Sequence, residues 1–168
     1  MLEVKVTEAM LTSAKNKAAE QGKLKRSFME GEGNVVGYLG EEIFAKAYPN
    51  VERKNGYHSD FIFNGEKIDI KSKKCKSKPK VWYECSIVAY SLKTQKNDRY
   101  VFIRVRKDLS MGWILGTISK EDFIARSHFM RKGRLDISNN YKVKEDCYNL
   151  KISDLEPEGG YFGIISQD

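Results

Sequence analysis

Two periods of apolar residues run along this chain, one near 3.6 and one of two, and they divide it into helices and strands. From Asn34 onward, Val35, Val36, Leu39, Ile43, Phe44 and Ala47 recur at helical spacing until Pro49 closes the run. Residues 6–20 predict a weaker helix: Ala9, Met10, Ala14, Ala18 and Ala19 share a thin apolar face, Lys15 and Lys17 decorate it, and Gln21-Gly22 stops it. So thin a face suits either a packed helix or an arm resting on a partner subunit or on nucleic acid, and both readings stay open. In residues 81–87, Val81, Tyr83, Cys85 and Ile87 alternate with Trp82, Glu84 and Ser86, which predicts a strand. Residues 88–96 are ambiguous between helix and loop. Residues 100–105 are the most strand-like run, and residues 112–118 pair with them across 108–111. Ser119-Lys120-Glu121-Asp122 opens a helix to about His128, with a serine N-cap and acids in the first turn. After Gly133 the chain is polar and turn-rich, with short edge strands expected at 141–150 and 161–165.

The most informative run is Ser59-Asp60-Phe61-Ile62-Phe63-Asn64-Gly65-Glu66-Lys67-Ile68-Asp69-Ile70-Lys71. Two short β-prone segments flank Asn64-Gly65, the dipeptide that most readily adopts the positive φ angles of a type I′ turn, so the run predicts a hairpin. With a two-residue loop, Phe63 faces Glu66, Ile62 faces Lys67, Phe61 faces Ile68, and Asp60 faces Asp69. Alternation then puts Phe61, Ile68 and Ile70 on one face, a core face, and Asp60, Asp69 and Lys71 on the other. A bulged loop would instead shift the register by one and take Asp60 away from its direct partner. Like charges opposed across a ladder repel, and a divalent cation between them turns that repulsion into binding energy.

The chain's 168 residues suit a single domain around one core. A formal charge of +7 favours a polyanionic partner. Cys75, Cys85 and Cys147 include no C-x-x-C pair and leave an odd thiol, which fits a reduced cytoplasmic setting. No secretory signal and no membrane-length apolar run is seen. His58 and His128 are too few and too far apart for a zinc site, with His58 the nearer to the acids. Lysines recur at nearly every second position from Lys71 to Lys80: Lys73, Lys74, Lys76, Lys78 and Lys80 either blunt an edge strand or track phosphates beside the acid pair. Lys25 and Arg26 belong to a small basic cluster that is either a solvated loop or a phosphate contact. Glu84 reads as a surface acid that could add a third carboxylate.

Asp60 before the hairpin strand and Asp69-Ile70-Lys71 on the next resemble the active site of the PD-(D/E)xK nuclease superfamily, with Ser59 where the family proline stands. The resemblance covers residues 34–106. It implies an α/β fold, a restriction-endonuclease-like αβββ core with a central mixed sheet flanked by helices, preceded by an N-terminal helical arm at 1–30 and followed by an elaboration at 107–168. The family core is usually completed by another αβ unit, which the chain from Ser119 onward does not clearly supply. Many such proteins carry a glutamate on the first core helix after a glycine, and Gly40-Glu41 is similar. Glu41 lies near the buried stripe and Glu42 more toward solvent, although helical angles alone do not separate them; Gly37 and Gly40 would let another backbone come close. Gln95 is similar to an auxiliary glutamine of some families, a match one residue long.

What the resemblance implies is metal-dependent hydrolysis of DNA. Asp60, Asp69 and the main-chain carbonyl of Ile70 would hold Mg²⁺, or Mn²⁺ in its place. Glu41 would complete the shell, and Lys71 would orient the attacking water and steady charge on the phosphorane. The compact size resembles phage-type or homing endonucleases and Holliday-junction resolvases in a bacterial or phage-infected cell. One site per chain implies a homodimer or higher homo-oligomer. RNA cleavage by the same fold and a non-catalytic basic nucleic-acid-binding module are the alternatives.

Overall fold

The computed structural model describes residues 1–21, 32–137 and 140–163. Along the chain run β1 (Leu2–Lys5), α1 (Glu8–Gln21), α2 (Glu32–Ala47), β2 (Glu52–Arg53), β3 (Phe61–Phe63), β4 (Glu66–Cys75), β5 (Glu84–Val88), α3 (Ala89–Thr94) and β6 (Arg99–Arg106). Then follow β7 (Met111–Ser119), α4 (Lys120–Arg126), β8 (His128–Met130), β9 (Leu135–Asp136), β10 (Tyr141–Lys142), β11 (Cys147–Lys151), a 3-10 turn at Ile152–Asp154 and α5 (Glu158–Phe162). The chain is of the α/β class, with a mixed central sheet ordered β1-β7-β6-β4-β3-β2. Only β4 and β6 pair in parallel within it. Parallel neighbours need a long crossover, and here it carries β5 and α3.

Strand β6 is buried from Arg99 to Val105 because both faces of the sheet are covered, and its apolar run over residues 100–103 resumes at Val105 after the buried Arg104. Val101, Ile103 and Val105 pack with Ile68, Ile70, Phe61 and the α2 residues Val36, Leu39, Ile43 and Phe44. Tyr100 and Phe102 face the other way, against Cys85, Ile87, Trp113, Ile118, Phe123 and Leu150. The second face is therefore closed mostly by a small antiparallel sheet, β5-β11-β8, rather than by helices alone. Ser119 caps α4 as its sequence predicts, accepting from the Asp122 amide at 3.1 Å.

The hairpin has the two-residue register, with Phe61 opposite Ile68, Ile62 opposite Lys67 and Phe63 opposite Glu66. Asn64 and Gly65 hold φ of 49° and 80°, so the loop is the tight left-handed turn and the bulged register is excluded.

Other expectations need correction. The run at 81–87 starts as a strand only at Glu84 and leaves the central sheet to pair with β11, while Val81, Trp82 and Tyr83 stay exposed. Tyr161 and Phe162 lie in α5, because Phe162 packs its ring against Phe44, Tyr48 and Phe63. Residues 2–5 form an unforeseen strand on β7. Of the two readings of the first helix, the structure has the packed one: Met10 and Ala14 are buried in the core and Lys17 reaches α2. The ambiguous segment 88–96 contains the helix α3, which leads into β6. No helix among the described residues is long and apolar enough to cross a membrane.

Helix α2 lies close on β4 because Gly40 has no side chain. A Cβ there would stand 2.9 Å from Ser72 Cβ and closer still to its hydroxyl, whereas Gly37 has nothing within 4 Å. Gly40→Ala should therefore destabilise the fold by about 1–3 kcal/mol through overpacking, read as a lower urea midpoint at unchanged slope. Gly37→Ala should leave the midpoint where it is or raise it.

Candidate active site

The site is built where the β3 ladder runs out. Pairing ends at Phe61, so the Ile70 amide, which a longer strand would have bonded, is taken by the Asp60 carboxylate: Ile70 N donates to Asp60 Oδ2 at 2.8 Å. The Asp60 amide donates to Ile68 O at 2.9 Å, which fixes the residue at the strand end. Asp60 is thus tied to β4 through both its amide and its carboxylate, and Asp69 belongs to β4 itself.

Asp69 is 4% exposed and pairs in register with Tyr100 of β6. Lys71 Nζ lies 2.7 Å from its Oδ2. The two form a close, largely buried ion pair, so Oδ2 has the lysine ammonium as its partner. Gln95, at the end of α3, spans the pair: Lys71 Nζ donates to its Oε1 at 3.0 Å, and its Nε2 donates to Asp69 Oδ1 at 3.4 Å and to Tyr57 O at 3.0 Å. Lys120 Nζ donates to the Gln95 main-chain oxygen. Its charge also favours ionised Asp69.

Burial dominates the electrostatics. It pushes the Asp69 carboxyl up, against the opposing pull of Lys71. Burial, then repulsion from Asp69, pushes Asp60 up to about 7. Burial, then repulsion from Asp60, pushes Glu41 up to about 8. The acids therefore form a chain around the sheet end, with Asp60 in the middle. Asp69 faces the β5 side, while Glu41 belongs to the helix covering the opposite face. Among the described residues, no three His, Cys, Asp or Glu side chains converge as a ready ligand set. Asp60, Asp69 and the Ile70 carbonyl are two carboxylates and a backbone oxygen, a hard-oxygen set of the kind that suits Mg²⁺, with Asp69 Oδ2 paired to Lys71 at 2.7 Å.

Glu41 and Glu42 have opposite roles. Glu41 lines a cleft of about 920 Å³ with Lys17, Gln21, Tyr38, Tyr57 and Asp60. Glu42 is not turned to solvent; it accepts from Ser13 and Lys17 and pairs with Arg53 at 3.0 Å, tying α1 and β2 to α2. Burial pushes its carboxyl up, but the Lys17 hydrogen bond and Arg53 outweigh that, and it stays below the usual value.

The basic residues divide. Lys73 follows Lys71 on the same face and stands 5.1 Å over the Tyr141 ring, Lys74 is half-buried, and Lys76, Lys78 and Lys80 are exposed beyond β4. On β4, β3 pairs only with Glu66, Lys67 and Ile68, so Lys73 and Lys74 lie where β4 is paired to β6 alone among the described strands. Lys25 and Arg26 lie outside the described residues. Glu84 sits away from the acids, bonded to Asn149 and 3.5 Å from His128. His58 stays beside the site, its Nδ1 accepting from the Lys96 amide. Gln95, Lys120, Tyr38 and Tyr57 are the residues that sequence reasoning passed over. Only Gln95 had a signal, a single-residue match; the others are brought in by the sheet topology. Compared with known proteins, the chain matches no family model and no curated protein.

The raised acids make a pH prediction. Between the ordinary glutamate value of 4.5 and about 8, folded protein holds a proton on Glu41 that the unfolded chain has released, and Asp60 does the same from 3.8 to about 7. Stability must then fall as pH rises through that window. In EDTA, the melting temperature should decline across it, and Glu41→Gln or Asp60→Asn should flatten the decline.

Proposed function

We propose that this protein is a metal-dependent DNA endonuclease with a restriction-endonuclease-like core. The observation that carries the reading is the convergence of Asp60, Asp69 and Lys71 at the end of the hairpin, with Asp69 buried and Lys71 Nζ 2.7 Å from its Oδ2. The element order supports it: α2, the antiparallel β2, β3 and β4, then α3 and the parallel β6, which is an αβββ unit followed by an αβ unit.

On this reading Asp60, Asp69 and the Ile70 carbonyl hold Mg²⁺, or Mn²⁺, which when bound polarises the phosphodiester and acidifies a water. Lys71 supplies a cation beside the scissile phosphate, and Gln95 keeps its ammonium aimed there. Glu41 sits next to Asp60 and takes up or releases a proton at the mouth of the cleft. Lys76, Lys78 and Lys80 follow the phosphates away from the cut.

A second reading has one observation of its own: Lys71 already neutralises Asp69 at 2.7 Å, as it would in a non-catalytic basic nucleic-acid-binding module. The two separate in a supercoiled-plasmid assay. Wild type should nick or linearise plasmid with Mg²⁺ and not in EDTA. Lys71→Ala should cut about 100-fold more slowly or worse, and Asp69→Asn should abolish cutting while retaining DNA binding. Magnesium-dependent cleavage that survives in Asp69→Asn would remove the assignment. Parallel incubation with RNA tests the choice of DNA.

A further inference from the structure

One large ring stands in solvent beside the acids without serving the core: Tyr57 is 59% exposed, lines the cleft with Glu41 and Asp60, and belongs to no core cluster. We propose that the site receives an unpaired nucleotide whose base stacks on Tyr57, so that the substrate is DNA with a single-stranded segment rather than continuous duplex. The inference rests on the nuclease reading for the fate of the phosphate, but not for the binding.

The ring is exposed yet fixed. Thr94 Oγ1 donates to Tyr90 O at 2.8 Å, which leaves its lone pairs to accept the Tyr57 hydroxyl at 2.7 Å. The His58 ring meets Tyr57 edge-on at 5.1 Å, and the Lys96 amide holds His58 through Nδ1 at 3.1 Å. A platform immobilised before binding loses little freedom when a base settles on it.

The ring is also tied to the reacting groups. The Tyr57 carbonyl accepts from Gln95 Nε2, and the same glutamine accepts from Lys71 through Oε1. One side chain thus separates the platform's backbone from the lysine at the phosphate. Beside it, the cleft of about 920 Å³ between Tyr57, Tyr38, Glu41 and Asp60 is far larger than a metal ion needs. It lies in the size range of pockets that enclose small organic molecules. Bases in a duplex are already stacked and present only their edges to a protein, so an outward ring face has nothing to take from them. An unpaired base has a free π-face, and an aromatic platform beside a cationic site is how proteins hold one.

The test uses fluorescence anisotropy in EDTA, where nothing is cut, with three labelled probes of one sequence: a single strand, a blunt duplex and a duplex with splayed arms. Wild type should bind the single strand and the splayed duplex about tenfold or more tighter than the blunt duplex. Tyr57→Ala should weaken those two by about 5- to 100-fold and leave the blunt duplex unchanged, while Tyr57→Trp keeps the preference. Circular dichroism and melting of each variant establish that it is folded. Equal affinity for all three probes, or a folded Tyr57→Ala with undiminished affinity for the splayed duplex, overturns the inference. Repeating the series with Mg²⁺ separates it from the reading it rests on. Tyr57-dependent binding with no cleavage of any probe removes the hydrolysis and keeps the platform. Cleavage of blunt and splayed duplex at equal rates, unaffected by Tyr57→Ala, keeps the hydrolysis and removes the platform.

Discussion

A carboxylate buried in the middle of a sheet sets the terms for everything around it. Asp69 is almost closed to solvent, in register with the buried Tyr100, and an isolated charge there would cost far more than the fold can spare. The surroundings answer with cations and donors: Lys71 against one oxygen, the Gln95 amide against the other, and Lys120 behind the glutamine. Three separate parts of the chain, β4, the end of α3 and the start of α4, are therefore brought to one place by one charge. Each oxygen of the buried carboxylate thus has one polar partner, an ammonium on one and an amide on the other.

From Asp69 the acids step outward, and each step is electrostatic. Burial and then Asp69 raise Asp60, and burial and then Asp60 raise Glu41, so that protons share with cations in settling the negative charge near neutral pH. Next to them, Glu42 remains ionised because Lys17 and Arg53 stand against it. One turn of α2 thus contains two adjacent glutamates with contrary tasks, one clamping the neighbouring helix and strand, the other open to a cleft. Gly40 makes both possible by letting the helix lie close on Ser72 and Ile70.

The rest of the molecule supports this arrangement from outside. The small β5-β11-β8 sheet closes the face that the helices leave open, and its first strand leads directly into α3, which delivers Gln95. The His58 and Tyr57 rings stand on the other side of that glutamine, held by Lys96 and Thr94. A shift of α3 would therefore move the lysine's partner and the exposed ring together.

Local chemistry determined a good deal by itself. Asn64-Gly65 selects the tight turn, the tight turn sets the register, and the register sends Phe61, Ile68 and Ile70 to the core and Asp69 and Lys71 to the opposite face. The α2 stripe, the β6 and β7 runs and the Ser119 cap are equally local and equally legible, because period and capping depend on neighbours within a few residues. Tertiary structure alone decided that β5 leaves the central sheet, that Phe162 is drawn into a helix by an aromatic cluster, and that Gln95 meets Asp69 with Lys120 behind it. It also gave Glu42 to α1, where the helix's own angles could not choose between two glutamates. The physical reason is common to all of these: a buried charge or ring draws its partners from wherever the fold passes, and the distance along the chain between them has no bearing on the energy.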